Sequence, residues 1–102
     1  MRSREVRRVF QEGRPLHTER VVVFLAPGQG TFAVVAARRV GGAVDRNRAR
    51  RILREAWMRV SPQVSEGFDI VLVAREAIRG AKTQDLVADM TQVLQRAEMT
   101  RA

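Results

Sequence analysis

Cysteine is absent from this 102-residue chain, which excludes disulfides, thiol catalysis and thiolate metal sites. Histidine occurs once, at His17, so a site built from several imidazoles cannot form, and no metal held by the protein alone is expected. No apolar run approaches the roughly 18 to 20 residues of a membrane span. The opening Met1-Arg2-Ser3-Arg4-Glu5 lacks the apolar stretch of a signal peptide, which predicts a cytoplasmic protein with no membrane partner. Acids are in short supply: 11 Asp and Glu face 19 Lys and Arg, a net charge of +8, and the sequence pI is near 11.7. Such a balance points to a polyanionic partner. Asp45, Glu55, Glu66, Asp69, Asp85 and Asp89 show no grouping along the chain that would supply a two-metal site or an acid and base pair. A protein-only nuclease is therefore disfavoured, and no residue is assigned as catalytic.

What is present describes a globular chain. Hydrophobic residues make up 45% and charged residues 29%, a composition that predicts one domain over residues 1–102. Ser3 to Glu12 carries Val6, Val9 and Phe10 at helical spacing and stops before Gly13. Gly13 to Thr18 contains Pro15 and suits a short edge strand. The β-branched run Arg20 to Ala26, the turn Pro27-Gly28-Gln29-Gly30 and the run Thr31 to Ala37 predict a hairpin. After Gly41-Gly42, apolar residues recur as Ala49, Ile52, Leu53, Ala56, Trp57 and Val60, an amphipathic helix ended by Ser61-Pro62 with Trp57 in the core beneath it. Phe68 to Ala74 reads as a buried strand, Glu76 to Ala81 as a loop, and a last helix begins near Thr83 as N-cap, with Leu86, Val87, Met90, Leu94 and Ala97 on one face. Three or four strands with helices covering one face make an α+β two-layer sandwich.

The basic excess is concentrated. Eight arginines (38, 39, 46, 48, 50, 51, 54 and 59) lie between Arg38 and Arg59 with only Asp45 and Glu55 against them. On a wheel of about 100° per residue, Asn47, Arg50, Arg51 and Arg54 fall within one arc opposite the apolar stripe. Arg46 and Arg48 reach either side of it, and Arg38-Arg39 precede the turn into the helix. Like charges at these spacings repel, and only Glu55 and Asp45 lie near enough in sequence to relieve them. Phosphates would complete such a cluster, whereas a solvated helix face ordinarily mixes both signs. A basic helix lying on an anionic membrane fits poorly, because flanking strands commit its apolar face to a sheet. A helix-turn-helix DNA module would need two helices joined by a short turn, and strands flank this one.

The run Arg38-Arg39-Val40-Gly41-Gly42-Ala43-Val44-Asp45-Arg46-Asn47-Arg48-Ala49-Arg50-Arg51-Ile52-Leu53-Arg54-Glu55-Ala56 resembles the signature of the bacterial ribonuclease P protein subunit. That pattern is two basic residues, an apolar residue, Gly, a small or polar residue, Ala-Val, any residue, then Arg-Asn-Arg, any residue, two basic residues, two apolar residues and Arg. The likeness extends from about Val6 into the last helix. It implies a protein cofactor of a ribozyme, in which the RNA subunit uses Mg²⁺ to cut the 5′ leader from precursor tRNA while the protein helps bind both RNAs. The implied partners are ribonuclease P RNA and the leader, with no obligate protein partner. Arg46, Asn47, Arg48, Arg50, Arg51 and Arg54 match the family's RNA-facing helix, and Arg38 and Arg39 match its upstream basic pair. The fold implied is α-β-β-β-α-β-α with a left-handed βαβ crossover, the type also found in the second domain of a small-subunit ribosomal protein. The competing reading is a structural or ribosomal RNA-binding protein without a role in cleavage.

The family's leader-binding cleft falls, by position, on Val6, Phe10, Val22 and Phe24. From the residues alone Phe10 reads as the core face of a small helix and Phe24 as a buried strand residue; the resemblance turns both into lining on which unpaired bases stack. Val6 stands where an aromatic residue is usual, Phe24 where Tyr is common, and Thr31 with Ala33 where Arg-x-Gly is frequent, which predicts weaker leader stacking. Asp45, just before the Arg-Asn-Arg run, suits the positive N-terminal end of a helix.

Overall fold

The computed structural model describes residues 1–101. Helix α1 (Ser3–Glu12) is followed by β1 (Arg14–His17), β2 (Val21–Pro27), β3 (Phe32–Val35), α2 (Ala43–Val60), β4 (Phe68–Ala74) and α3 (Thr83–Arg96). Short 3-10 turns at Arg38–Val40, Ser61–Gln63 and Glu76–Ile78 punctuate the connections, the last of them within the segment expected to be a plain loop. No described helix is long and apolar enough to cross a membrane.

The four strands lie in the order β1-β2-β4-β3. The expected hairpin between the runs on either side of Pro27–Gly30 does not form: β2 pairs antiparallel with β1 and with β4, and β3 pairs only with β4, in parallel. The hairpin partner of β2 is instead β1. Thr18 closes that turn, its hydroxyl donating to the Val21 carbonyl at 2.8 Å and accepting from the Val21 N–H at 3.0 Å. Pro15 is tolerated because β1 is an edge strand, paired on one side only. The adjacent parallel strands β3 and β4 are joined through α2, so the βαβ unit implied by the resemblance is present.

Alternation along the strands sends two sets of side chains to opposite faces. Val21, Val23 and Leu25 of β2 with Ile70, Leu72 and Ala74 of β4 pack on Ile52, Leu53, Ala56 and Trp57 of α2 and on Leu86, Met90 and Leu94 of α3. This is the main core. Helix α1 departs from the expectation that all helices cover one face. It lies on the other side, where Val9, Ala26 and Val71 form a smaller buried cluster with Val6, Phe24, Val35 and Val73 around it. The reason is that β2 is apolar on both faces, so Phe24 and Ala26 need cover too, and the narrow stripe of α1, which buries only Val9 fully, supplies it. A further correction concerns Thr83, which is the first residue of α3 rather than its N-cap. Lys82 takes the cap position, and its backbone N–H donates to Asp85 at 2.8 Å.

Gly41 is required by its backbone. Its φ of +144° is a conformation L side chains rarely adopt, and a Cβ there would stand 2.4 Å from Asp45 Oδ2. Gly41→Ala is expected to cost about 1 to 3 kcal/mol in a denaturant unfolding curve, because strain at the turn and the clash with the first turn of α2 arrive together.

Candidate nucleic-acid interface

Helix α2 presents the arginine arc as the spacing predicted. Ala49, Ile52, Leu53, Ala56, Trp57 and Val60 are buried, while Asn47, Arg51 and Arg54 are exposed and Arg46 and Arg50 half-buried. The arc is even less neutralised than the sequence suggested. Asp45 sits in the first turn, where the helix dipole favours it, and its nearest cation is Arg79 at 3.9 Å, outside the arc. Glu55 divides itself between Arg51 at 4.0 Å and the Thr83 hydroxyl, which donates to it at 2.9 Å. Arg50 donates to Asn47 Oδ1, fixing two members of the arc side by side. Arg48 leaves the arc: it donates to the Ala81 carbonyl at 2.5 Å and ties α2 to the loop before α3. Arg38 and Arg39 are exposed on the 3-10 turn before Gly41.

The four residues carried over as cleft lining come together on the α1 side of the sheet. Val22 and Phe24 share one face of β2, and Val6 of α1 packs against the same small cluster as Phe24. Phe10 and Phe24 meet edge to face, ring centroids 4.9 Å apart at 75°. Phe10 is 39% exposed and Phe24 half-buried, so these two rings keep open surface, whereas Val22 at 9% contributes mainly floor. Beyond α1 the sheet face continues into a depression of about 660 Å³ lined by His17, Val22, Arg39, Val73, Arg75 and Glu76, among others. One arginine of the upstream pair, Arg39, thus stands at the far end of the apolar floor. The α2 arc and this cleft open on different sides of the sheet, since α2 packs on the face opposite α1.

Asp69 and Arg8 position this cleft, and neither was singled out from the sequence. Asp69 is 6% exposed. Its Oδ1 accepts from the backbone N–H groups of Gln29 at 3.0 Å, Gly30 at 3.2 Å and Thr31 at 3.1 Å, and from the Thr31 hydroxyl at 2.8 Å. Arg8 of α1 donates to Oδ2 and, at 3.2 Å, to the Pro27 carbonyl. Gly28 is needed for this approach, because a Cβ there would lie 2.0 Å from Oδ2. Thr31, one departure from the family pattern, is occupied in the same network. The signal available in the sequence was a lone acid within the apolar run Phe68 to Ala74.

Burial pushes the Asp69 carboxyl upward, but the Thr31 hydroxyl, the Thr31 and Gln29 N–H groups and the Arg8 guanidinium together hold it below the usual carboxylate range. A depressed folded-state value adds stability that is present above the unfolded value, about 3.9, and disappears as pH falls through the folded one. The stability advantage of the native chain over Asp69→Asn is thus expected to be constant from neutral pH to about pH 5 and to shrink below about pH 4. Paired denaturant titrations across that range measure it; an advantage that persists undiminished in strong acid contradicts the ionised carboxylate.

Among the described residues no three carboxylate or imidazole groups converge on a point. The donor set among these residues therefore does not fit a divalent ion held by the chain alone.

Comparison with known proteins bears on the family and the fold. The family model described as Ribonuclease P matches residues 1–98. The chain is 41% identical over 101 residues to the ribonuclease P protein component of Chloroflexus aurantiacus, covering 94% of this chain and 74% of that one. It is 30% identical over 104 residues to the component of Pelotomaculum thermopropionicum, covering 99% and 93%. Its fold superposes on the RNase P protein from Thermotoga maritima with a TM-score of 0.81 at 26% identity, over 94% of each chain. On the Staphylococcus aureus RNase P protein the TM-score is 0.80 at 20% identity, a likeness of fold. The chain belongs to the ribonuclease P family of protein components, subunits of the ribonucleoprotein endoribonuclease that processes the 5′ ends of tRNA.

Proposed function

We propose that residues 1–102 act in the cytoplasm as one RNA-binding unit that joins two RNAs. Arg46, Asn47, Arg50, Arg51 and Arg54 bind ribonuclease P RNA along α2, with Arg38 and Arg39 at its start. Arg48 serves the same surface indirectly, by fixing α2 to the loop before α3. Val6, Phe10, Val22 and Phe24 receive the single-stranded 5′ leader of precursor tRNA, whose bases lie against the two rings. Bond cleavage is assigned to the RNA subunit, and so is Mg²⁺, in keeping with the lack of three convergent carboxylate or imidazole groups among the described residues. The observation that carries this reading is the placement of an unneutralised arginine arc and an open aromatic cleft on different sides of one sheet. A protein so built can hold an RNA on each side at once.

The test is cleavage of a precursor tRNA at low Mg²⁺ by a matched bacterial ribonuclease P RNA, with and without the chain, beside the chain alone. Stimulation that needs the RNA is expected, and Phe10→Ala with Phe24→Ala should weaken leader-bearing substrate more than mature tRNA. Cleavage by the protein alone overturns the assignment of chemistry to RNA. Absence of stimulation reassigns the chain to a structural RNA-binding role.

A further inference from the structure

The five aromatic residues of this chain divide into two groups. Phe10 and Phe24 belong to the cleft beside α1. Phe32, Trp57 and Phe68 line a separate groove of about 560 Å³, where the β2–β3 turn, the C-terminal end of α2 and the segment leading to β4 meet. The Phe32 and Trp57 rings stand 6.2 Å apart at 41°. Trp57 is core, but the other side of the groove is open: Met58 lines it and is 66% exposed. Gln29, Ser61 and Ser65 place amide and hydroxyl groups around the apolar floor.

An ion pair of Arg101 with Glu66 lies on the rim. Arg101 also lines the groove, and its backbone is fixed there, its N–H donating to the Gln63 carbonyl at 2.8 Å. Its side chain is held as well, Nε donating to the Val64 carbonyl at 3.1 Å and Nη2 to Glu66 at 2.7 Å. An apolar floor and a polar rim suit a flat ring with polar edges, while the pairing of Arg101 with Glu66, itself a lining residue, leaves the attraction of a phosphate to the arginines of α2.

Position on the helix says where that ring would come from. On the same wheel that gathers Asn47, Arg50, Arg51 and Arg54, Met58 falls inside their arc, about 6 Å beyond Arg54 along the axis. The groove is thus the continuation of the arginine surface. We propose that it takes one unpaired nucleotide of the RNA bound along α2, the base against Phe32, Phe68 and Met58 above Trp57 and the phosphate toward Arg54 on the adjoining arginine surface. This rests on the reading of the α2 arc as an RNA surface.

Trp57 is the sole tryptophan, so its emission reports occupancy of this groove without interference from the leader cleft. The full chain is titrated with end-labelled single-stranded oligoadenylate of about ten nucleotides and with an abasic strand of equal length. The strand with bases is expected to change Trp57 emission saturably. The abasic strand, whose binding is followed by the anisotropy of its label, should leave emission unchanged. Met58→Glu, at an exposed position that does not touch the core, should raise the half-saturating concentration roughly tenfold. An equal response to both strands, or no response to either, overturns the proposal, as does a response that Met58→Glu leaves intact. A concentration-dependent change in emission without RNA, matched by dimers in sedimentation, overturns it in favour of a second copy of the chain. The salt dependence of binding by Arg50→Ala with Arg51→Ala, which leaves Arg54 and the groove intact, separates the two readings. If that dependence falls while Trp57 stays silent, only the groove is lost; if it is unchanged, the arc itself is not an RNA surface.

Discussion

Replacing Arg50 and Arg54 together by Ala is expected to weaken binding to ribonuclease P RNA by roughly a hundredfold or more, since each charge-assisted contact contributes about 1.5 to 3 kcal/mol. The same change should lower the slope of log affinity against log salt by about 1.4 to 1.8, the release of roughly two phosphate contacts. Stability should move the other way or not at all. Neither side chain belongs to the core, and Arg54 is fully on the exposed arc. Arg50 and Arg54 are four residues apart on one face, where like charges cost a few tenths of a kcal/mol, and Ala is the best helix former. The result that identifies a binding surface is the combination: weaker, less salt-sensitive binding in a protein that melts at the same or a slightly higher temperature. An unchanged salt slope would falsify the phosphate role of the arc, and a drop in melting temperature would show that these arginines hold the fold instead.

Much of this surface was legible because it is local. The stripe Ala49, Ile52, Leu53, Ala56, Trp57 fixes which side of α2 is buried, and the arginines follow from that by angle alone. The bounds of α1 and β4 were readable for the same reason, the one a single periodic run and the other an apolar run broken only by Asp69. Strand pairing was not, because it depends on partners far away in sequence. A four-residue turn between two apolar runs favours a hairpin locally, yet β4 enters between β2 and β3. One clue to cover on both faces was present: β2 is apolar at every position from Val21 to Ala26, where a strand with one wet face would alternate. That continuity signals the place of α1 opposite α2 and α3. The anchoring of Arg48 to Ala81 has no counterpart in the sequence pattern, since a backbone carbonyl in a distant loop carries no residue signature.

Asp69→Ala is expected to produce the largest loss of stability of any single change outside the main core, about 3 kcal/mol. The carboxylate gathers three backbone N–H groups and a hydroxyl from the β2–β3 turn on one oxygen and the Arg8 guanidinium on the other. Gln29, Gly30 and Thr31 are exposed and Arg8 is 37% exposed, so water recovers part of what is lost, which keeps the figure well below the sum of the separate bonds. For a domain of about this size such a loss lowers the melting temperature by more than about 10 °C. The functional consequence runs through α1. A helix of 10 residues is marginal in water without tertiary contacts, and this one buries only Val9 completely. Its second anchor is the Arg8–Asp69 pair, so losing it frees the helix that carries Val6 and Phe10. Asp69→Asn separates the two roles of the carboxylate. It retains an acceptor for the turn but presents an amide donor toward Arg8, so α1 should loosen while the turn holds. Leader binding is then expected to fall in Asp69→Asn by a larger factor than binding to ribonuclease P RNA, and hydrogen exchange should quicken in α1 before it does in β4. Equal losses of both affinities, with uniform exchange throughout the chain, would mean that Asp69 supports the whole fold and gives the cleft no separate support.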